Sequence, residues 1–358
     1  MTDTYTSYDL VEFGKPLQAR LREMPTPTGS QVLVRIRRSG VCHSDLHIGS
    51  GFMDLGEEGR LNMAERGIKL PVAMGHEMLG EVLALGPDAD ATAAPIGSTM
   101  LVFPWEGCGD CLACDELREN DCVAPRFMGL VQDGGYATHA LVSHPKFLVN
   151  VDGLNPDTVT PHACSGLTVY NALKTIGSLR DGEWLAVIGT GGLGLNAIAI
   201  ARALGHTRII AIDNNDEKLS AAKAMGADKT LNSQADDAVE QLRQLSDNRL
   251  LAALDTVGIP PTSRLAVHAL IKTGRYVCVG LHGGDFKMPL PWLPQKALTV
   301  CGCHVGSSLL LRELIDLVKT GKVKEIPVET RPLSAVAQTL ADLEAGRITG
   351  RVVLTSED

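Results

Sequence analysis

Aromatic side chains are scarce in this chain of 358 residues, at 4% of the composition. No stretch of about 18 uninterrupted apolar residues occurs, so no membrane-spanning segment is expected. Basic runs and stripes are missing too: 33 Lys and Arg face 42 Asp and Glu, a formal net charge of -9. That balance argues against nucleic acid or an anionic membrane surface as a partner. The opening segment, MTDTYTSYDLVEF, has no positive stretch followed by an apolar one. No secretory signal is therefore expected, and the cytoplasm is the expected address. The nine cysteines are an odd number without a secretion signal, which argues against a disulfide framework.

Glycine, by contrast, is plentiful at 37 residues. Few aromatics and many glycines suit an α/β protein rich in tight strand-to-helix turns. A hydrophobic fraction of 44% and a charged fraction of 21% are those of a soluble globular protein. The length suits about two domains.

The first 150 or so residues read as short strands and turns, an all-β, barrel-like half. QVLVRIRRSGVC and MLGEVLALG are β-rich, the latter closed by Gly86 and Pro87, and 142–151 offers another strand. Residues 49–69, rich in glycine and charge, read as an exposed loop or a short helical excursion. From about residue 165 strands and helices alternate. Strands are expected at 184–188, 208–212, 250–254 and 276–279, and helices at 193–204, 216–225, 237–245 and 263–271. Apolar strands alternating with helices mean a parallel sheet covered on both faces. Beyond Gly302 two amphipathic helices, 308–319 and 333–344, precede a last strand at 351–354. This tail is expected to return to the first domain.

Cys108, Cys111, Cys114 and Cys122 form a C-x2-C-x2-C-x7-C cluster. Four thiolates at such short spacing suit a closed tetrahedral zinc site, which staples a loop and does no chemistry. Buried free cysteines or an iron–sulfur cluster are the alternatives. A second set is dispersed: Cys42-His43-Ser44-Asp45-Leu46-His47, then Gly75-His76-Glu77, then His162-Ala163-Cys164-Ser165-Gly166. Singly, each is more simply read as a packed residue. Together they supply two thiolates and an imidazole, and Cys₂His with an open fourth position is a known catalytic zinc arrangement. Cys164 also falls where the halves should meet, and clefts form at domain interfaces.

The apolar run 185–188 leads into Gly189-Thr190-Gly191-Gly192-Leu193-Gly194 and a helix, with Asp213 ending the next strand 19 residues after Gly194. Strand, G-x-G-x-x-G, helix and distant acid together are a strong dinucleotide fingerprint. The turn lets backbone approach a pyrophosphate, and the helix N-terminus favours its charge. Asp213 suits ribose hydroxyls and opposes a 2′-phosphate, so NAD is expected over NADP. Lys218 nearby tempers this.

These residues resemble the zinc-containing alcohol dehydrogenases of the medium-chain dehydrogenase/reductase superfamily. The likeness is carried by C-H-S-D, G-H-E, P-W-x-G-C-G-x-C, A-C-S-G-L-T-V-Y, the glycine turn and the closing G-R-V-V-L, over nearly the whole chain. It implies an α/β fold with a β-rich GroES-like catalytic domain and a Rossmann domain with a doubly wound parallel sheet. The catalytic domain would span 1–164, with a zinc lobe at about 104–123, the NAD domain 165–302, and 303–358 would return to the first. It implies one catalytic and one structural zinc, NAD, a small alcohol, aldehyde or ketone, and a homodimer or homotetramer.

By that resemblance Cys42, His76 and Cys164 look like the catalytic zinc ligands. Glu77 is grouped with them and, with Asp45, looks like a carboxylate that orients His76 and tunes the metal. Ser44 looks like the hydroxyl bonded to the substrate oxygen, and His47 like the outer end of a proton relay. His43 is similar to the residue facing the cofactor pyrophosphate, Thr168 to a nicotinamide neighbour, Arg351 to an arginine meeting cofactor phosphate, and Trp105 to a wall of the substrate pocket. The 34 positions from Cys42 to His76 exceed the family's usual spacing by roughly a dozen, and long loops are often functional. A polyol dehydrogenase, a zinc-free quinone reductase, and a non-catalytic NAD-sensing or zinc-storing protein are the rival readings. Cys164 favours simple alcohols over polyols.

Overall fold

The computed structural model describes residues 3–356. Its second half is built on six parallel strands, Trp184–Ile188, Ile209–Asp213, Lys229–Asn232, Leu250–Asp255, Arg275–Cys278 and Thr299–Gly302. Numbered along the chain, they lie in the order 3-2-1-4-5-6. That order reverses beside the first strand, and in open parallel sheets the crevice at this switch point receives the ligand. The inner strands are apolar because helices cover both faces. Trp184–Ile188, for example, is buried at all five positions.

The helix Gly192–Ala203 starts directly at the glycine turn. The helix Asp216–Met225 starts where Asn215 caps it, accepting from the backbone N–H groups of Glu217 and Lys218, and ends at the left-handed Gly226. Two strands escape the sequence reading. Lys229–Asn232 buries only Leu231, and Thr299–Gly302 buries none of its residues, so neither shows the apolar run of an inner strand. The helix Ser165–Ile176 was not expected either. Its β-branched residues weaken helical propensity, but burial of nine of its 12 residues between the two halves overrides that.

The first half is antiparallel. Val32–Gly40 pairs with Glu77–Leu85 and His139–Val142, and Thr99–Val102 and Leu148–Asn150 extend the same sheet. The final strand Arg351–Thr355 joins this sheet, Val353 facing Gly40 and Leu354 facing Ser39. The chain therefore does return to its first domain. A smaller sheet sets Thr4–Leu10 between Gln18–Glu23 and Val72–Ala73.

Two expectations need correction. The segment 142–151 is not one strand: a 3₁₀ turn at Pro145–Phe147 separates His139–Val142 from Leu148–Asn150, and Pro145 cannot donate to a ladder. The 49–69 stretch is neither a bare loop nor mainly helical. It forms a hairpin of Phe52–Asp54 and Arg60–Asn62, with 3₁₀ turns at Gly56–Glu58 and Met63–Arg66. Among the described residues, no helix is long and apolar enough to cross a membrane.

Candidate active site and metal centres

Three distant segments converge in the buried region beside the cleft between the halves, which Cys42 also lines. Cys42 opens the helix His43–Ser50, His76 precedes the strand Glu77–Leu85, and Cys164 precedes the helix Ser165–Ile176. Their ligand atoms lie within 4.8 Å of one another, and all three residues are buried. Gly75 makes the approach of His76 feasible: its φ of 87° lies in the left-handed region, and a Cβ there would strike the ring of Tyr136.

Asp45 organises the site. Its Oδ2 accepts from the Cys42 N–H at 3.0 Å and from the Tyr136 hydroxyl at 2.6 Å. Its Oδ1 lies 3.1 Å from His76 Nδ1, an electrostatic contact whose angle falls short of a formal hydrogen bond. Asp45 thus favours a hydrogen on Nδ1 and leaves Nε2 as the coordinating atom. Nε2 is buried with no hydrogen-bond partner among the described residues. Such an orphan demands a partner, and a cation supplies one. Cys164 hydrogen-bonds the Cys42 sulfur, and Arg351 and His76 add positive potential, so Cys42 is held well below the usual thiol range. Cys164, facing that thiolate, is pushed up, and its desolvation pushes the same way. Two sulfurs sharing one proton beside an imidazole are a donor set that fits zinc.

Glu77 is not part of that triad. It is buried beside it, its Oε1 3.4 Å from the Arg351 guanidinium and 3.4 Å from the Ser165 N–H. Burial pushes its carboxyl up to about 8, against the pull of Arg351. Arg351 is correspondingly turned inward: it donates to the Val41 carbonyl at 2.8 Å, and its Nε abuts the Gly192 turn. Its acidic neighbour is the buried Glu77, and it also lines the cleft beside the glycine turn. Trp105 is buried beside the triad. Its indole N–H donates to the Ala163 carbonyl at 3.0 Å, and its ring lies 5.3 Å from that of His76. It steadies two of the triad's segments, those of His76 and Cys164. Thr168 is likewise buried off the cleft wall, its hydroxyl donating to the Cys164 carbonyl at 2.8 Å.

The cleft itself holds about 630 Å³. Its walls include Cys42, His43, Ser44 and His47 from the first domain, and Gly189, Gly191, Gly192, Leu193, Asp213 and Lys218 from the second, with Arg351 between them. Ser44 Oγ stands 3.8 Å from Cys42 Sγ. His43 keeps an edge in solvent, but desolvation inside the cleft lowers it to about 4, and His47 is lowered by the same cause. Both rings are neutral at pH 7. Asp213 is more occupied than expected: Oδ2 accepts from the Thr190 N–H and hydroxyl at 2.7 and 3.0 Å, and Oδ1 from the N–H groups of Asn214 and Asn215 at 2.9 and 3.1 Å. It therefore ties the glycine turn to the end of the neighbouring strand as well as facing the cleft.

Sequence reasoning missed the opposite wall, Thr256, Val257, Gly280 and His282. These follow the carboxyl ends of two parallel strands, a position that by itself marks the ligand crevice. Asp255 shapes this wall, its Oδ1 accepting from the N–H groups of Val257 and Gly258 at 2.9 and 3.0 Å.

The four-cysteine lobe is closed. The Sγ separations are 3.9 Å for Cys108 and Cys114, 3.6 Å for Cys111 and Cys114, and 3.8 Å for Cys111 and Cys122. A tetrahedron with zinc–sulfur bonds of about 2.3 Å has edges of about 3.8 Å. Backbone N–H groups of Cys108 and Ala124 donate to Cys122 Sγ, stabilising thiolate there. Among the described residues, these two groups are the ones with metal-ligand geometry.

A β-rich domain and a dinucleotide sheet enclosing a Cys₂His triad define a zinc-binding dehydrogenase of the medium-chain kind, the donor set for which alcohol dehydrogenase is the standard example. The family models agree: residues 28–153 match the alcohol dehydrogenase GroES-like domain and 192–320 the zinc-binding dehydrogenase domain. NAD-dependent alcohol dehydrogenases of Sulfurisphaera tokodaii and Saccharolobus solfataricus are 37% and 35% identical over 348 residues, covering 96% of this chain and 98% of each relative. The alcohol dehydrogenase of Aeropyrum pernix, 29% identical, superposes with a TM-score of 0.88 over 98% of this chain and 100% of its own. Acetophenone reductase of Geotrichum candidum, solved with NAD, is also 29% identical, with a TM-score of 0.86 over 99% and 98%. The chain belongs to the zinc-containing alcohol dehydrogenases of the medium-chain dehydrogenase/reductase superfamily.

The glycines of the turn divide by role. A Cβ on Gly194 would overlap the Gly189 carbonyl, whereas one on Gly191 meets nothing and projects at the cleft. Gly194→Ala is expected to cost about 1–3 kcal/mol in urea unfolding. Gly191→Ala should stay within about 0.5 kcal/mol of the parent yet weaken dinucleotide binding. Equal stability of the two variants would contradict this division.

Proposed function

We propose that this chain oxidises primary or secondary alcohols, and reduces the matching aldehydes or ketones, with NAD and two zinc ions. The observation that carries the proposal is the buried convergence of Cys42, His76 and Cys164, with Cys42 also lining a cleft whose other side is the glycine turn. These three residues would hold the catalytic zinc, and Cys108, Cys111, Cys114 and Cys122 the structural one. When bound, zinc supplies a Lewis acid at the substrate oxygen and NAD the hydride acceptor.

The chain's own residues do the rest. Asp45 and Trp105 fix the His76 ring, so its Nε2 keeps one direction. The two domains wall the cleft. Ser44 Oγ, beside Cys42 Sγ, accepts the proton of the substrate hydroxyl as it gives up its own toward His47. His47 is neutral because burial disfavours its charged form, so its ring nitrogen is free to take that proton. The reverse reaction returns the proton along the same groups.

The division 1–164, 165–302 and 303–358 belongs to this reading and is supported by strand membership of the two main sheets. So does a cytoplasmic homodimer or homotetramer. The unpaired cysteines suit a reducing compartment, and Thr299–Gly302 lies at an open end of the parallel sheet.

Assays over aliphatic and benzylic alcohols, with sorbitol for comparison, test the reading. Turnover of the simple alcohols supports it, and turnover of sorbitol alone overturns it. Cys164→Ser and His76→Ala are each expected to cut kcat by about a thousandfold, some 4 kcal/mol, with an unchanged circular dichroism spectrum. Near-parental activity without zinc at this site would refute the assignment. Asp213→Gly should raise the ratio of kcat/KM for NADP over NAD. A parent enzyme that already prefers NADP contradicts the ribose argument.

A further inference from the structure

The wall opposite the metal site carries His282, a third imidazole facing His43 and His47. Resting on the alcohol dehydrogenase reading, we propose that His282 is the outer proton carrier, relaying the proton from His47 to solvent, and that the 52–62 hairpin holds it in place.

Three observations support this. First, His282 Nδ1 lies 3.0 Å from the Val257 carbonyl. A carbonyl only accepts, so Nδ1 carries the hydrogen and Nε2 is the acceptor. Second, the ring centroid is 5.8 Å from that of His47, with the planes nearly perpendicular, and 5.6 Å from that of His43. A single water spans such a gap between ring edges. Third, His282 is exposed while His47 and Ser44 are half-buried, so the step from His47 to His282 runs outward.

The loop bearing His282 is pinned from both sides. Toward the sheet, the Gly283 N–H donates to the Gly258 carbonyl at 3.1 Å. Toward the first domain, the Glu57 N–H donates to Asp285 Oδ2 at 3.1 Å, and Lys287 Nζ meets Glu57 Oε1 at 2.6 Å. A Cβ on Gly283 would collide with the Asp54 carbonyl, and one on Gly56 with the Asp285 carboxylate. The hairpin tip therefore sits tightly on the loop. This hairpin lies between Cys42 and His76 and has no other part in the reaction chemistry.

The transfer balances without any co-reactant. His47 receives the proton from Ser44 at one ring nitrogen and releases one from the other. An N–H bond breaks on His47 as one forms at His282 Nε2. That proton then passes to bulk water, and both rings are neutral again.

The test compares the zinc- and NAD-loaded parent with His282→Ala and His282→Gln. In weak buffer, kcat for alcohol oxidation should fall on the order of tenfold, with KM for alcohol and NAD unchanged. The solvent deuterium isotope effect on kcat should rise, and added imidazole should restore the rate. Gly283→Ala, which pushes the hairpin off the loop, should show a smaller, equally rescuable loss. Independently of turnover, ¹⁵N spectra of the histidines in the cofactor-free protein should show the Nδ1–H tautomer at His282. An Nε2–H tautomer, an unchanged kcat and isotope effect, or a rise in the NAD KM alone would each overturn the proposal. A parent that oxidises no alcohol fails the alcohol dehydrogenase reading instead, while the tautomer is still read separately.

Discussion

Cys42, Asp45, His76, Glu77, Cys164 and Arg351 are all withdrawn from water in one small volume between the two domains. Burying that many ionisable groups is costly unless each finds compensation, and breaking such a set by removing one partner costs far more than its net contribution. The structure meets this constraint by setting Asp45 beside His76, Glu77, whose carboxyl burial pushes up, beside Arg351, and two sulfurs to share a proton. Much of the surrounding architecture follows. The last strand must return to the first domain because it carries Arg351 to Glu77. Tyr136 must be buried because its hydroxyl completes Asp45. Trp105 must lie behind His76 because its indole N–H secures the segment leading into Cys164.

The same constraint ties chemistry to topology. The triad lies near the meeting of the first domain with the switch point of the parallel sheet, and Cys42 and the glycine turn line one cavity. Neither half suffices. The first domain supplies Ser44 and His47, the second supplies the glycine turn and the Asp255-shaped wall, and Arg351 lies against both Glu77 and Gly192. The zinc lobe stands apart from this cavity. It is anchored where Asn120 donates to the His304 carbonyl and Ser308 to Glu119, at the entry to the helix Ser308–Lys319.

The sequence was legible where residue type and spacing each restrict the chemistry. Four cysteines in 15 residues, a glycine turn between strand and helix, and apolar strands separated by helices leave few alternatives. It was less legible where a role depends on which neighbour arrives in three dimensions. Nothing in its local sequence says that Glu77 will be answered by Arg351, 274 residues later, or that Trp105 will pack against the ring of His76. The surroundings of Thr168 were not legible because the helix carrying it is set by tertiary burial over weak propensity. His282 was overlooked because a single histidine in a glycine-rich loop has no local pattern, although its place after a parallel strand was readable.

Anomalous X-ray scattering at the zinc edge tests the central claim most directly. The account predicts two peaks per chain, one among the sulfurs of residues 108, 111, 114 and 122, the other at bonding distance from Cys42 Sγ, His76 Nε2 and Cys164 Sγ. A single peak confined to the four-cysteine lobe, in protein grown and purified with zinc, would contradict it.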